Sequence, residues 1–265
     1  MSEIIAISIT KLVLQSMTRF AAKISFVGTN YHGWQVQNNA KSVQGEIESA
    51  LSTLFRVKTS VVGCGRTDAG VHASYFILHF DADTKLACDS ICFKVNAILP
   101  KNIAFHDLRP VDKDFHARFH ATKRSYQYFL HFGKQPFLLD LSMPFWKDLN
   151  VEAMNVAAKS FLGEQDFSSL TKAHGGNHTF ICNVTEAYWE KVDDKQLVFN
   201  VSANRFLRNM VRAMVGTLLK VGLEKESPDF VNKVLAAKDR SVAGESVKAC
   251  GLYLSNVVYP SVFND

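Results

Sequence analysis

Apolar and polar positions along the chain follow two periods, which predict that strands and amphipathic helices alternate. A period of two over residues 20–27 is typical of a strand with one buried face. Helical spacing over 43–55, with Ser42 as a candidate N-cap, predicts a helix. The elements predicted next are strands at 59–62 and 75–78, a helix through Ile91, Val95 and Ile98, and a strand at 103–108. The first half is therefore expected to run strand, helix, strand, strand, helix, strand.

The second half follows a similar order of elements, although no sequence repeat is visible. Its predicted elements are a strand at 125–132, a helix at 151–162, a hairpin of strands at 184–191 and 197–203, helices at 205–221 and 229–238, and a strand at 252–258. Each half resembles the split β-α-β unit of ferredoxin-like domains. The predicted fold class is therefore α+β, with two ferredoxin-like halves and mainly antiparallel sheets.

The junction between the halves is expected near residues 109–112. It divides the chain into an N-terminal domain over 17–111 and a C-terminal domain over 112–265. Residues 1–16 lack the features of a signal peptide, and we expect an N-terminal extension there, either a disordered tail or an artefact of the assumed start. The stretch 172–179, which contains two adjacent glycines, is expected to be a flexible loop.

Composition narrows the class of protein without choosing a function. With 47% hydrophobic and 21% charged residues among 265, the chain is expected to fold around a sizeable core. The net charge of +5 suits an anionic partner such as RNA but does not require one. Five cysteines without a Cys-x-x-Cys pair favour neither disulfides nor a zinc site, and the apolar runs are too short to cross a bilayer. These features favour a cytoplasmic protein without a membrane partner.

The run of residues 65–73 carries the strongest chemical signal in the chain. It places Asp68 in a glycine-rich loop between two predicted strands. We expect Gly63, Gly65 and Gly70 to allow positive φ and a close approach of a ligand to the backbone, while Arg66 pairs with Asp68 or reaches a phosphate. A structural Gly-Asp turn is the alternative. A P-loop and a dinucleotide fingerprint are excluded, because both lead into a helix whereas this loop leads into a strand.

Two other regions combine aromatic, amide and basic groups. Residues 30–35 are typical of a loop that stacks on bases or covers the edge of a core. His116 and His120 have the spacing of metal ligands but lack a third ligand, so no metal is predicted. Tyr126 and Tyr128 fall on one face of a strand, where both would suit a core. The basic residues of the same region contact phosphates or form a solvated edge: Arg118, Lys123 and Arg124.

The predicted helix at 205–221, with Asn204 as a candidate cap, separates two faces. The apolar stripe consists of Phe206, Met210, Met214 and Leu218, and the basic face gathers Arg205, Arg208, Arg212 and Gly216. Such a basic face is either solvated surface or an RNA contact. Gly216 on that face indicates close approach by another backbone. Residues 251–254 are typical of an ordinary core strand.

Five strings in this chain resemble motifs of the TruA-type tRNA pseudouridine synthase family. They lie at 30–35, 65–73, 115–128, 204–216 and 251–254. The resemblance implies that Asp68 is the catalytic aspartate, that Arg212 pairs with it, that Tyr126 stacks on the target base and that Leu252 packs against the target uracil. The chain departs from the family pattern at two positions, where Val27 replaces a usual aspartate and Cys182 a frequent arginine.

The resemblance also implies an activity and its partners. The family converts uridines 38 to 40 in the anticodon arm of tRNA to pseudouridine, with no metal or organic cofactor, and works as a homodimer. The resemblance also implies that the sheets of the two halves of each chain join across a central basic cleft. A stacked base offers no route to the reacting atoms, so base flipping is expected, with Arg66 as a candidate to fill the vacated space. The further candidates for RNA contacts are Arg118, Lys123, Arg124, Arg205 and Arg208.

Two other functional classes stay open from the sequence. One is a noncatalytic RNA-binding protein that keeps the same basic cleft. The other is a hydrolase that uses Asp68 as a general acid or base, although the chain lacks the second carboxylate that glycoside hydrolysis normally employs.

Overall fold

The computed structural model describes residues 17–172 and 179–263. The expected extension at 1–16 and nearly all of the expected loop at 172–179 lie outside these residues.

The described residues of the first half, from 17 onward, contain four strands and two helices. They are β1 (Thr18–Phe26), α1 (Val43–Phe55), β2 (Val62–Gly63), β3 (His72–Ala82), α2 (Cys88–Ile98) and β4 (Ile103–Val111). Ser42 caps α1 as predicted, because its hydroxyl accepts a hydrogen bond from the Gly45 amide at 3.2 Å. The strand predicted at 59–62 is only partly right, since pairing with β3 begins at Val62.

The second half contains six strands and three helices in its described residues. They are β5 (Lys123–Phe132), β6 (Met143–Phe145), α3 (Val151–Ala158), β7 (Gly163–Asp166), β8 (Ile181–Asp193), β9 (Gln196–Ala203), α4 (Met210–Gly222), α5 (Phe230–Ala237) and β10 (Leu252–Val258). The helix predicted at 151–162 ends at Ala158 and tightens into a 3₁₀ turn over Lys159–Phe161. The last strand has the predicted bounds.

All of these strands belong to one sheet. Its order is β4-β1-β3-β10-β5-β9-β8-β7, with β2 added on β3 and β6 on β5. Two pairings are parallel, β10 with β3 and β6 with β5, and the others are antiparallel. The predicted α+β class with mainly antiparallel pairing is confirmed.

The last strand, β10, joins the two halves of the sheet. It lies between β3 of the first half and β5 of the second, with Tyr253 opposite His72 and Leu252 opposite Tyr128. Two hydrophobic cores flank this strand: α1 and α2 pack in the first, and α3, α4 and α5 in the second. Leu254 belongs to the first core and Leu252 to the second. Strand β10 therefore contributes to both cores and joins them in one sheet. A domain boundary between residues 111 and 112 stays a prediction.

The helix predicted at 205–221 begins five residues later than expected, at Met210. Asn209 adopts a left-handed conformation with φ 67°, which separates the preceding residues from the helix. The Arg208 carbonyl accepts hydrogen bonds from the Thr171 hydroxyl at 3.1 Å and the Lys172 amide at 3.2 Å. Asn204 does not cap the helix, because its side-chain oxygen accepts the Asn183 amide instead. Arg205 and Arg208 therefore lie in a connecting segment, not on a helix face.

A buried histidine ties β3 to the segment before β5. His79 is 5% exposed, and its Nδ1 accepts a hydrogen bond from the Ala117 amide at 3.1 Å, so this nitrogen must be unprotonated. Burial is the main cause that lowers the pKa of His79, to about 4, and the positive charges of Arg19, His116 and His120 act in the same direction against an opposing effect of Asp81.

We predict that this histidine makes the protein less stable in acid. Its pKa in the folded state lies below the unfolded value of 6.5, so the unfolded chain takes up the proton first as the pH falls. The contribution of His79 is intact above the unfolded pKa and is lost progressively toward pH 4, by on the order of 3 kcal/mol. Urea unfolding at several pH values measures this loss. The His79→Gln variant should show a flatter dependence on pH, and identical slopes for the two proteins would contradict the prediction.

Candidate active site

The loop that carries Asp68 is fixed by hydrogen bonds to the segment after β1. The Trp34 amide donates to the Thr67 carbonyl at 3.2 Å, and the Gly70 amide donates to the Tyr31 carbonyl at 3.2 Å. Within the loop the Val71 amide donates to the Asp68 carbonyl at 3.2 Å, which closes a turn. The loop backbone on both sides of Asp68 is therefore held before any ligand binds.

Two glycines make this arrangement of backbones feasible. Gly33 has φ +96°, and a Cβ at this position would overlap the Thr67 carbonyl oxygen. Gly70 has φ +77°. The expectation of positive φ is wrong for Gly63 and Gly65, since neither adopts it. Gly63 is instead required for space, because a Cβ there would meet the rings of Trp34 and Phe76.

The aromatic residues of the 30–35 segment belong to the core. Tyr31 and Trp34 are each 3% exposed, and the Trp34 ring stacks on Phe76 with centroids 4.2 Å apart. The Tyr31 hydroxyl donates to the Asn102 side chain at 2.9 Å. Of the two alternatives for this segment, covering the core edge fits these rings, and their backbone positions the Asp68 loop.

The Asp68 carboxylate faces two arginines from the other half of the chain. Nη1 of Arg212 lies 3.6 Å from Oδ2, and Nε of Arg208 lies 3.8 Å from Oδ1. The side chain of Asp68 is 29% exposed, that of Arg212 21% and that of Arg208 56%, so the carboxylate is partly open to solvent. The structure thus brings Asp68 and Arg212 together and adds Arg208, which the sequence offered only as a candidate RNA contact.

The backbone around α4 fixes the direction of the Arg212 side chain. Its Nε donates to the Val247 carbonyl at 2.7 Å, and the Val247 amide donates back to the Arg212 carbonyl at 3.3 Å. The chain can run this close because Gly216 has no side chain, and a Cβ there would overlap the Glu245 carbonyl oxygen. The predicted close approach at Gly216 is confirmed. One edge of the guanidinium is thereby held by protein, and the other edge points to Asp68.

Tyr126 lies between the two cores, within electrostatic reach of the carboxylate. It is half-buried, packs against both cores and forms an edge-to-face contact with Phe206, with centroids 5.1 Å apart. Burial is the main cause that raises its pKa, and the nearby Cys64 and Asp68 add to this effect against Arg124. Its hydroxyl therefore stays protonated at neutral pH. Phe206 was expected on the apolar face of a helix. Because α4 begins only at Met210, Phe206 lies in the preceding segment, where it contacts Tyr126.

Tyr128 and Leu252 occupy the second core. Tyr128 is fully buried and its hydroxyl donates to the Lys248 carbonyl at 2.8 Å, so this ring serves packing. Leu252 stands opposite Tyr128 in the sheet and is 6% exposed. A contact of Leu252 with a base stays a prediction.

The remaining basic candidates differ in their surroundings. Arg66 and Arg118 are exposed, and within the described residues Arg66 forms no ion pair with Asp68. Lys123 pairs with Glu186 at 3.1 Å, and Arg205 is partly buried. The guanidinium of Arg124 is engaged by backbone carbonyls, including that of Cys64 at 2.9 Å. Of these five basic residues, Arg66 and Arg118 are therefore the most available to a ligand.

Neither a metal centre nor a membrane span is evident in the described part of the chain. Its histidines, cysteines and carboxylates form no group of three that could hold a metal ion. Its helices include none with the length and apolar character needed to cross a membrane.

Comparison with known proteins assigns the chain to a family. The family model described as tRNA pseudouridine synthase matches residues 22–120 and 157–260. A tRNA pseudouridine synthase A of Bacteroides thetaiotaomicron is 44% identical over 246 residues, which cover 92% of this chain and 91% of the relative. The protein of that name in Francisella philomiragia is 40% identical over 246 residues, covering 92% and 95%. The chain belongs to the tRNA pseudouridine synthase family.

Solved structures add a distant similarity. A chain in the crystal structure of the archaeal box H/ACA sRNP Nop10-Cbf5 complex is 11% identical, with a TM-score of 0.39, over 80% of this chain and 46% of that one. The family assignment therefore rests on the sequence matches.

We predict that Gly33→Ala disrupts the Asp68 loop. The added methyl group would force the Thr67 carbonyl away and would hold alanine at a positive φ, which together should cost about 2 kcal/mol or more of unfolding free energy. Gly65→Ala is the matched control, because a Cβ at position 65 meets nothing within 4 Å and φ there is not positive. Urea denaturation of the two variants makes the comparison. Equal stability of both would show that Gly33 does not constrain the loop.

Proposed function

We propose that this protein isomerises uridine to pseudouridine in the anticodon arm of tRNA, at positions 38 to 40, with Asp68 as the nucleophile. Family membership makes the chain a pseudouridine synthase. The role proposed for Asp68 is supported by the position of its carboxylate. A fixed loop of the first half places it beside two arginines of the second half.

The reaction needs an ionised oxygen beside an everted nucleotide. The bond between C1′ and N1 breaks, the freed uracil rotates, and a new bond forms from C1′ to C5. C5 then loses its proton and N1 gains one, so the product is an isomer of the substrate. Attack at C6 of the base and attack at C1′ of the sugar both start from a carboxylate anion. The positive charges of Arg212 and Arg208, at 3.6 and 3.8 Å from the two carboxylate oxygens, favour that anion.

Tyr126 is proposed to stack on the flipped base. Its ring is half-buried and makes an edge-to-face contact with Phe206, and the nearby Asp68 contributes to raising its pKa. A protonated hydroxyl at this place can donate a hydrogen bond to the reacting base. Leu252 is proposed to close the opposite side of the base, and exposed Arg66 to fill the gap that the flipped base leaves in the RNA.

Binding of tRNA is proposed to depend on the exposed basic groups around the site. The net charge is +5, and Arg118 and Arg208 are exposed, so contacts to phosphates would release counterions and weaken with salt. Arg205 lies beside Arg208 in the same connecting segment. Lys123 is a less available cation, since Glu186 already pairs with it.

A cytoplasmic homodimer is the proposed form of the enzyme. Phe137 is 96% exposed and Leu139 73%, and large apolar residues exposed close together often mark an interface. The five cysteines at positions 64, 88, 92, 182 and 250 are all free thiols, as suits a reducing compartment.

Incubation of the purified protein with unmodified tRNA tests the function directly. Nucleoside analysis with mapping of the modified positions should reveal pseudouridine in the anticodon arm with no release of free uracil. Retention of unchanged tRNA would favour a noncatalytic RNA-binding protein, and free uracil would favour a hydrolase. Pseudouridine outside the anticodon arm would keep the activity and overturn the proposed target.

We predict that Asp68→Asn folds and binds tRNA but loses activity. The carboxamide has nearly the same shape and lacks the anionic oxygen, so the single-turnover rate of pseudouridine formation should fall by on the order of 10⁴-fold or more. Rapid-quench assays with excess enzyme measure the rate, and filter binding measures the affinity. Asp107→Asn is the matched control, since it removes a carboxylate paired with Arg109 away from the site and should retain activity. Appreciable turnover by Asp68→Asn would refute the nucleophilic role.

We predict that Tyr126→Phe separates stacking from hydroxyl chemistry. The ring and its contact with Phe206 remain, so affinity for tRNA should stay within about threefold, while the single-turnover rate falls by about 10²-fold or more. Tyr128→Phe is the control, because it removes a core hydroxyl that bonds to Lys248 and should lower stability without slowing the reaction. An unchanged rate in Tyr126→Phe would limit this residue to packing.

A further inference from the structure

Arg124 makes an unusual set of contacts at the start of β5. Its guanidinium donates to the backbone carbonyls of four residues. The contacts are Nε to Cys64 at 3.3 Å, Nη2 to Cys64 at 2.9 Å, Nη2 to Arg118 at 2.7 Å, Nη1 to Ala121 at 3.4 Å and Nη1 to Asn204 at 3.2 Å.

These contacts use the whole hydrogen-bonding capacity of the side chain. A guanidinium has five N–H donors, one on Nε and two on each terminal nitrogen, and no acceptor. The five contacts divide in the same way, one from Nε, two from Nη1 and two from Nη2. A phosphate would have to displace a carbonyl from Arg124, so the direct RNA contact expected from the sequence does not fit this geometry.

The carbonyls belong to the segments that build the site. Cys64 leads into the loop of Asp68, and Asn204 opens the segment 204–209 that carries Phe206 and Arg208. Arg124 itself is two residues from Tyr126 on the same strand. The Arg124 side chain therefore connects three parts of the site: the Asp68 loop, the segment 204–209, and the strand that carries Tyr126. The Asp68 loop and the segment 204–209 are called the two walls of the site.

We propose that Arg124 is a positioning residue that sets the separation between the Asp68 loop and the segment 204–209. This inference rests on the proposed function of Asp68. Arg124 acts through main-chain atoms, and its consequence is the placement of Asp68 relative to Arg208 and Phe206. The geometry of reacting groups is sensitive to displacements of about 1 Å, which can cost on the order of 10²-fold in rate.

The fold does not depend on this side chain alone. The backbone of β5 is paired on both sides, with Arg124 opposite Val257 of β10 and Ala203 of β9. The Asp68 loop has its separate hydrogen bonds to Tyr31 and Trp34. Loss of the guanidinium should therefore loosen the two walls without unfolding the sheet.

The test is Arg124→Lys, which keeps the charge and removes the planar fork. A lysine ammonium has three donors at a single point and cannot span carbonyls on both walls. We expect the single-turnover rate at saturating tRNA to fall by about 10²-fold, with the dissociation constant for tRNA within about threefold of the wild type. The slope of log Kd against log salt should not change, because no phosphate contact is lost. Hydrogen exchange should speed up in peptides covering 64–70 and 204–209.

Two comparison variants separate positioning from stability and from RNA binding. Arg19→Lys changes another arginine with several hydrogen bonds. Arg19 lies away from the site and bonds to the Asp81 carboxylate and the Phe115 carbonyl, so this variant should have a lower melting temperature and a normal reaction rate. Arg118→Gln removes an exposed cation, and it should raise the Kd and reduce the salt slope by about one.

Several outcomes would overturn the inference. A reduced salt slope in Arg124→Lys with a normal rate at saturation would make the residue a phosphate contact. A normal rate with a lower melting temperature would make it a structural residue, as would a failure of both Arg124→Lys and Arg124→Gln to fold. If the wild type forms pseudouridine and Asp68→Asn does not, a normal rate in Arg124→Lys defeats this inference alone. If the wild type forms none, the proposed function fails first.

Discussion

The site depends on the ion pair between Asp68 and Arg212, which joins the two halves of the molecule. Asp68 belongs to a loop of the first half, and Arg212 belongs to a helix of the second. These elements reach each other because β10, the last strand, pairs with β3 on one side and β5 on the other. The carboxylate and its guanidinium therefore meet across a sheet that β10 completes.

Backbone groups hold the side chains and the loop around that pair. The carbonyl of Val247 holds Arg212, the carbonyls of Cys64 and Asn204 hold Arg124, and the amide of Trp34 holds the Asp68 loop. His72 adds a further tie, because its Nδ1 accepts the Gly28 amide while Nε2 donates to the Cys250 carbonyl. Burial lowers the pKa of His72, which favours this neutral form. These contacts use main-chain atoms of the partner residues, so they do not require particular side chains there.

Much of the fold could be predicted from local patterns. The Ser42 cap, the run of β10 and the fold class follow from residue periodicity and capping preference, which act over a few neighbours. The start of α4 could not be predicted in this way. Helical spacing continues through Arg205 and Phe206, and the left-handed Asn209 with the bonds from Thr171 and Lys172 to the Arg208 carbonyl overrides it. These bonds join residues far apart in the chain.

The same limit applies to the site. The resemblance of short motifs pointed to Asp68 and Arg212 as a pair, and the geometry brings them together. The sequence motifs did not indicate that Arg208 would face the same carboxylate. They also did not indicate that all N–H donors of Arg124 would bond to the backbone carbonyls at positions 64, 118, 121 and 204. An arginine in a sequence is equally consistent with a phosphate contact and a structural clamp, and only its surroundings distinguish the two.

A double-mutant cycle on Asp68 and Arg212 tests the central claim most directly. Asp68→Glu and Arg212→Lys each keep the charge and spoil the geometry, so both should retain a measurable single-turnover rate. If the two side chains act as one unit, the rate of the double variant will lie within about threefold of the slower single variant, because the second change removes an interaction already lost. Rate losses that multiply in the double variant would show that the two residues act independently, and that result would contradict the account.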